Sequence, residues 1–192
     1  MSLPLLLEPA ELANHLDDAN LLIVDLSKEQ VYAQAHVPGA VHLDFKRLQK
    51  GTQPAPGLLP DDDTLSDLFS ELGLTPDTQV VAYDDEGGGW AGRLLWTLDY
   101  IGHAHYTYLN GGIHAWLAAD LPTSSEPHTP TPSDYEVGLH KAGVNVDLET
   151  VLAEYQNPDV VIWDARSEEE YAGIRAFAQK GGHIPGAVHY EW

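Results

Sequence analysis

The densest group of reactive side chains in this sequence is Asp84-Asp85-Glu86, which runs directly into Gly87-Gly88-Gly89. Three carboxylates could bind a metal ion, and a glycine-rich loop could hold a phosphate group. The loop lacks the Gly-Lys-Ser/Thr ending of a phosphate loop, and its acidic residues do not follow the spacing of a calcium loop. We therefore expect no cofactor and no metal ion there.

Histidine supplies the second set of candidate groups, because its side chain titrates near neutral pH. His36 and His183 each stand two residues before a Pro-Gly pair, where a structural hydrogen bond is the commoner role. His103 and His105 precede a predicted strand and His114 lies on the next helix, with no cysteine and no obvious carboxylate partner. We predict structural roles for the first pair and no metal site at the other three.

A repeated heptapeptide shows how the chain is organised. His36-Val37-Pro38-Gly39-Ala40-Val41-His42 returns 147 residues later as His183-Ile184-Pro185-Gly186-Ala187-Val188-His189. That separation has the size of a globular domain, whereas solenoid and propeller repeats recur every ~20 to 50 residues. Because proline fixes φ and glycine permits a positive φ, we expect each copy to form a turn that leads into a strand. The sequence thus predicts two domains.

Short apolar runs and helical patterns alternate in the first domain. Continuous apolar runs predict buried strands at residues 21–24, 80–83 and 106–109. Apolar residues at helical spacing predict helices at residues 65–72, 91–98 and 113–119, with Thr64 as the N-cap of the first and Gly102 at the end of the second. Strands that alternate with helices predict an α/β fold with a parallel sheet.

We place the first domain at residues 1–121, a proline-rich linker at 122–134 and the second domain at 135–192. The linker carries four prolines and no apolar periodicity, so we expect an extended, semi-rigid segment. The second domain repeats the order of helix (148–155), strand (160–164) and motif, with eight extra residues between Asp164 and His183. Only three residues follow its heptapeptide, and we expect this domain to be incomplete.

Composition narrows the possible functions. Thirty acidic and nine basic side chains give a net charge of −21, which repels nucleic acid and anionic membranes. No apolar stretch approaches the ~18 residues of a membrane span, and residues 5–7 lack the basic flank of a secretory signal. We expect a cytoplasmic protein with no nucleic-acid and no membrane partner. The 192 residues contain no cysteine, which excludes a thiol nucleophile among them.

The pattern Tyr32-x-x-x-His36-Val37-Pro38-Gly39-Ala40 resembles the signature of rhodanese domains, the sulfurtransferases and their inactive relatives. Further segments resemble the two domains of bacterial tandem-domain thiosulfate sulfurtransferases in the same order: residues 84–93, 108–117, 164–166 and 181–187. The resemblance covers nearly the whole chain. It implies a rhodanese-like parallel sheet flanked by helices, present as one complete domain and an incomplete second copy.

In that family a cysteine after a central strand takes sulfur from thiosulfate as a persulfide and passes it to cyanide or a thiol. The loop between the strand and the next helix presents backbone N–H groups that stabilise such an anion. In the first domain this position is Asp84, so the resemblance implies a catalytically silent domain. The same spacing counted from His183 leads to position 231, and we expect the catalytic Cys there, beyond Trp192. The 192 residues themselves should be inactive.

Two residues of the second domain bear on the substrate. Mercaptopyruvate-type members of the family usually carry an arginine where this sequence has Glu170, which favours thiosulfate as donor. Lys180 occupies a place where relatives often carry a basic residue near the cleft, so it is a candidate substrate-binding residue. We expect a small-molecule donor and acceptor and a monomer at full length. The alternative is a non-catalytic rhodanese-like module that binds or regulates another protein.

Overall fold

The computed structural model describes residues 3–51 and 55–192. These residues form two compact units. The first unit reaches Lys50 and continues with Leu58–Val144, and the second contains Asn145–Trp192. In the described ranges no helix is both long enough and apolar enough to cross a membrane.

A parallel sheet forms the centre of the first unit. Its strands are β1 (Leu6–Leu7), β2 (Leu21–Asp25), β3 (Val41–His42), β4 (Gln79–Tyr83) and β5 (Tyr106–Leu109). They pair in the order β1-β5-β4-β2-β3, and every pair is parallel. The helices are α1 (Pro9–Leu12), α2 (Glu29–Gln34), α3 (Asp62–Glu71), α4 (Gly89–Tyr100) and α5 (Gly112–Ala118), with a 3₁₀ turn at Phe45–Leu48. The predicted α/β fold is confirmed.

Both faces of the sheet are covered, which explains why the strands are apolar throughout. Leu22 and Val24 of β2 join a core cluster with residues of α3 and α4, whereas Ile23 joins a second cluster with residues of α1 and α5. Neighbouring residues of a strand point to opposite faces, so a strand buried on both sides needs no polar alternation. Trp116 is fully buried in the second cluster.

The predicted N-cap of α3 was wrong. Asp61 caps this helix, and its carboxylate accepts hydrogen bonds from the backbone N–H and the hydroxyl of Thr64. Three acidic residues, Asp61, Asp62 and Asp63, stand at the start of the helix, where the helix dipole favours negative charge. Thr64 is therefore the partner of the cap. Thr64 donates this hydrogen bond, and Asp61 is the N-cap residue that accepts it.

The first compact unit extends past residue 121, because residues 133–144 pack on α3 and α4. Tyr135 and Val137 contact the core cluster, and Tyr135 N–H donates to the Ser70 hydroxyl at 2.9 Å. Residues 122–134 form no helix and no strand apart from one bridge at Ser124, in agreement with an extended segment. A division into compact units does not define where a repeated domain begins and ends. The domain limits 1–121, 122–134 and 135–192 therefore stay a prediction.

The second unit has fewer regular elements. It contains α6 (Leu148–Glu154), β6 (Trp163–Asp164), α7 (Glu168–Tyr171) and β7 (Val188–His189), and β6 pairs with β7 in parallel. The predicted strand at 160–164 was too long, since only its last two residues are paired. In the first unit β2 has a neighbour on each edge, whereas among the described residues β6 has only β7.

Candidate functional site

The first candidate site is the Asp84 loop, residues 84–91, which runs from the end of β4 into the first turn of α4. Gly88 makes the tight turn, because it adopts a φ of 103° and a side chain there would collide with the Tyr108 hydroxyl. Asp84 itself is only 1% exposed, and its backbone carbonyl accepts a hydrogen bond from Ile113 N–H of α5. The loop is thus held between two helices at the carboxyl edge of the sheet.

The Asp84 carboxylate sits inside a ring of backbone donors. Its Oδ1 accepts hydrogen bonds from Glu86 N–H at 3.0 Å and from Gly88 N–H at 2.8 Å. Its Oδ2 accepts from Trp90 N–H at 3.0 Å and from Ala91 N–H at 2.9 Å. Four N–H groups at the start of a helix form an anion site, and here the anion is a side chain of the same loop.

Further negative charge surrounds the loop. Lys28 makes ion pairs with Glu86 and, at 3.9 Å, with Asp85, and its pKa is raised chiefly by the hydrogen bond to Glu86. The positive charge of Lys28 does not neutralise the three carboxylates of Asp84, Asp85 and Glu86. A carboxylate cannot carry a sulfane sulfur, and an anionic donor would approach against this charge. The geometry therefore provides a group of backbone N–H donors that can stabilise an anion, but no nucleophile that could carry sulfur.

The second candidate site is the repeated motif, whose two copies have the same internal geometry. The Tyr32 hydroxyl donates to Ala40 O and the Tyr171 hydroxyl to Ala187 O, both at 2.8 Å. Each copy has its glycine at positive φ, 79° and 86°. Since both tyrosine rings also stack on a histidine, the motif is a packed structural turn.

The motif histidines bond to backbone atoms. His36 is fully buried, and its ring nitrogens lie 2.7 Å from Tyr32 O and 3.2 Å from Glu126 O. His183 Nδ1 lies 2.8 Å from Tyr171 O. These contacts agree with the predicted structural role, because each ring anchors its own loop.

Of the other three candidate histidines, His103 and His105 have their rings in edge contact, with centroids 6.1 Å apart. His103 Nε2 lies 2.9 Å from Thr78 O, and burial lowers the pKa of this histidine. His114 Nε2 lies 3.0 Å from Asp85 O of the Asp84 loop. Across the described residues, no group of three or more His, Cys, Asp or Glu side chains could hold a metal ion.

The eight extra residues of the second copy form a loop that leaves the motif geometry intact. The loop begins after Tyr171 and returns before His183, and Gly173 and Gly181 pack closely at its base. Lys180 is exposed on this loop. Glu170 lies at the start of α7, where its carboxylate accepts from the Ser167 hydroxyl. A role for Lys180 in substrate binding stays a prediction.

Comparison with known proteins identifies this arrangement. The sequence profile of the rhodanese-like domain matches residues 8–119 and 147–192. The chain belongs to the rhodanese-like domain family. The family resemblance and the rhodanese fold predicted from the sequence are confirmed.

Several rhodanese relatives are similar over most of the chain. The thiosulfate sulfurtransferase of Azotobacter vinelandii is 49% identical over 191 residues, which cover 100% of this chain and 70% of the relative. The thiosulfate sulfurtransferase of Pseudomonas aeruginosa is 46% identical and covered to the same 70%. The crystal structure of SseA from Escherichia coli, a 3-mercaptopyruvate sulfotransferase, has a TM-score of 0.86 at 26% identity, with 99% of this chain and 76% of SseA covered.

Sequence reasoning missed one feature of the first rhodanese unit. Asp25 is fully buried and Ser27 is 3% exposed, so a carboxyl group lies in the interior at the end of β2. Desolvation raises the pKa of Asp25, and hydrogen bonds from the Ser27 and Tyr83 side chains and from the Ser27 backbone oppose this shift. The available signal was the difference between Asp25-Leu26-Ser27 in the first copy and Asp164-Ala165-Arg166 in the second.

Proposed function

We propose that this chain is part of a thiosulfate sulfurtransferase. The observation that carries the proposal is the 49% identity to an enzyme of that name over 100% of the chain. In this reaction a cysteine thiolate attacks the outer sulfur of thiosulfate, the S–S bond breaks and sulfite leaves. The resulting persulfide gives its outer sulfur to cyanide, which forms thiocyanate, or to a thiol. The thiolate is then restored.

In this proposal the first unit is not catalytic. Its Asp84 loop has the N–H groups that a persulfide requires, and the carboxylate already occupies them. Since the 192 residues contain no cysteine, the persulfide must form on a residue that they do not supply. The expected position is 231, by the spacing of the two motif copies.

Thiosulfate is the proposed donor. Glu170 stands where mercaptopyruvate-type relatives usually carry an arginine, so the side chain that would pair with the carboxylate of mercaptopyruvate is missing at that position. We further propose that Lys180 attracts the anionic donor as an exposed point charge. The lack of nucleic-acid and membrane partners stays a prediction, supported by the net charge of −21, which repels both. A cytoplasmic location and a monomeric full-length protein also stay predictions.

The test measures thiocyanate formation from thiosulfate and cyanide. We expect no activity from the 192 residues alone. We expect activity from the product of a coding sequence read past Trp192, if it encodes a cysteine near position 231. Replacing that cysteine with serine should abolish activity. Thiocyanate formation by the 192 residues would contradict the assignment of the persulfide to position 231, and a longer product without a cysteine in that loop would favour the non-catalytic module.

A further inference from the structure

A chemically reactive pair of residues lies at the turn from β5 into α5. Asn110 is followed by Gly111, and the other asparagines of the sequence precede larger residues. The backbone nitrogen that follows an asparagine can attack the side-chain amide carbon, because the two atoms close a five-membered ring. A side chain on the attacking residue hinders this approach, and glycine has none. Asn110 therefore has the neighbour that favours the reaction most.

The fold requires this glycine. Gly111 adopts a φ of 70°, in the left-handed region that disfavours other residues. A Cβ atom at this position would lie 2.5 Å from Ala115 Cβ, which is far inside van der Waals contact. The reactive pair is thus a consequence of the geometry with which β5 enters α5.

The attacking nitrogen is accessible in the folded protein. Gly111 is exposed and Asn110 is half-buried. In the part of the chain that the structure describes, the Gly111 N–H makes no hydrogen bond, whereas Asn110 N–H donates to Leu7 O at 2.9 Å. The Gly111 nitrogen can therefore lose its proton to water without breaking a hydrogen bond of the fold.

The Asn110 side chain carries a structural hydrogen bond. Its Nδ2 donates to Glu8 Oε1 at 2.7 Å, and the amide must face this way because a carboxylate only accepts. Glu8 is the N-cap residue of α1 and directly follows β1, so the bond ties the first elements of the chain to the end of β5. A carboxylate at position 110 would remove the donor and set two negative charges against each other.

We propose that Asn110 is a site of spontaneous deamidation in the folded protein. The Gly111 nitrogen forms a bond to Cγ of Asn110, and the bond from Cγ to Nδ2 breaks. The proton lost by the Gly111 nitrogen is returned to Nδ2, which leaves as ammonia. Water then opens the resulting succinimide ring at one of its two carbonyl groups. The product is an aspartate or an isoaspartate.

Either product weakens the contacts around this turn. An aspartate repels the Glu8 carboxylate, and an isoaspartate adds one carbon atom to the backbone just before α5. The turn has little room for this change, since a Cβ atom on Gly112 would lie 2.3 Å from Asp84 O. We expect modification to loosen β1 and α5. The site is independent of the proposed sulfurtransferase activity, so either can fail without the other.

The test incubates the folded 192-residue chain at neutral and at alkaline pH and measures conversion at each asparagine by peptide mapping with mass spectrometry. An isoaspartate-specific methylation assay separates the two products. The exposed Asn20, which precedes Leu21, is the control within the same molecule. We expect conversion at Asn110 to be at least about tenfold faster than at Asn20. Alkaline pH should accelerate it, because the attacking nitrogen must lose its proton.

The same chain unfolded in urea shows whether the fold protects the site. Because the Gly111 N–H is exposed and unbonded, we expect the folded rate at Asn110 to stay within about tenfold of the rate in urea. A larger suppression by the fold overturns the proposal. Conversion at Asn110 no faster than at Asn20 also overturns it.

Two variants test the expected loosening. Asn110→Asp places the product carboxylate against Glu8, and its urea midpoint at neutral pH should be lower than that of the natural chain. Adding Glu8→Gln restores a hydrogen bond, from the glutamine amide to the new carboxylate, and should recover most of this loss. Glu8→Gln alone corrects for its own effect. Equal midpoints for Asn110→Asp and the natural chain would overturn the loosening, as would a loss that Glu8→Gln does not recover.

Discussion

At position 84, one carboxylate group lies in a backbone already arranged for an anion, at the position where our proposal places the persulfide in an active domain. Four N–H groups bond to it, and Asp84 is 1% exposed. Within the Asp84 loop, the side chain at this one position separates a silent site from one that could stabilise a thiolate.

Replacing Asp84 with cysteine should give a thiol of unusually low pKa. The same four N–H groups would stabilise the thiolate, so we expect its pKa to fall below the ordinary value of about 8.5. The chain has no other cysteine, so the ultraviolet absorbance of the thiolate against pH reports this one group. Asp85→Cys is the matched control, because it is adjacent but outside the ring of donors. Equal pKa values in the two variants would contradict the anion site.

Asp25 should make stability depend on pH. Burial raises its pKa in the folded protein above the ordinary value of 3.8, so the folded state binds its proton more tightly than the unfolded state. The stabilisation is therefore complete below that value and is lost as the pH rises through the folded pKa. Asp25→Asn has no charge to bury. As the pH rises from 3.8 through the folded pKa of Asp25, the free energy of unfolding of this variant should therefore increase relative to that of the natural chain.

Urea unfolding of both chains between about pH 4 and about pH 7 measures this difference. Other carboxylates, such as Asp99 with its lowered pKa, reduce the stability of both chains on acidification. Their contributions cancel when the two chains are compared. A difference that stays constant with pH would show that Asp25 has the same pKa folded and unfolded.

The sequence predicted these residues unequally. Asp84 was found because it stands directly after a buried strand, and strand ends can be read from an apolar run. The full burial of the Asp25 carboxyl group was not found, because it depends on how the surrounding elements pack. Only the Ser27 and Arg166 difference between the two copies hinted at it.

Among the elements, α3 fixes a segment that has no regular structure. The Ser70 hydroxyl accepts from Tyr135 N–H at 2.9 Å, and the Ser66 hydroxyl, one turn earlier, accepts from Val137 N–H at 3.0 Å. Two serines on one face of a helix thus replace a strand partner for this segment. The sequence pattern predicted the apolar face of this helix. It did not indicate that two serines of the polar face would bind the backbone of residues 135–137.

Ser66→Ala combined with Ser70→Ala should release residues 133–137 from α3. Each lost hydrogen bond costs about 1 kcal/mol, so we expect cleavage by a nonspecific protease in this segment to become at least about tenfold faster. The exposed Ser125→Ala is the control, in the neighbouring proline-rich stretch. Unchanged cleavage would mean that the apolar contacts of Tyr135 and Val137 hold the segment without the serines.

Prediction of elements followed the strength of their pattern. Strands β2, β4 and β5 are covered on both faces and matched closely, because their apolar runs come from their own burial. The strand predicted at 160–164 shrank to Trp163–Asp164, because a strand is completed by its neighbours and an apolar run cannot supply them.

At the scale of the whole molecule, the two units differ in how much of the chain they bury. The first unit holds both core clusters, with fully buried residues such as Val24, Phe69 and Trp116. Between residues 145 and 192 the sole buried residue is Ala187, while Trp163 and Phe177 are more than 60% exposed. Since buried apolar surface is the main source of stability, the two units should differ in stability.

Amide hydrogen exchange of the 192 residues should show this difference directly. Residues of β2 and β4 should exchange only through global unfolding, because they lie between two covered faces. Residues 146–190 should exchange within about a factor of ten of the rate of an unfolded peptide, because opening them exposes little further apolar surface. Strong, uniform protection across 146–190 in a monomer would mean that this unit is stabilised by contacts other than apolar burial. Hydrogen bonds of this unit, such as those from the Arg166 guanidinium to the Asp164 carboxylate, would then contribute more to its stability than their exposure to solvent suggests.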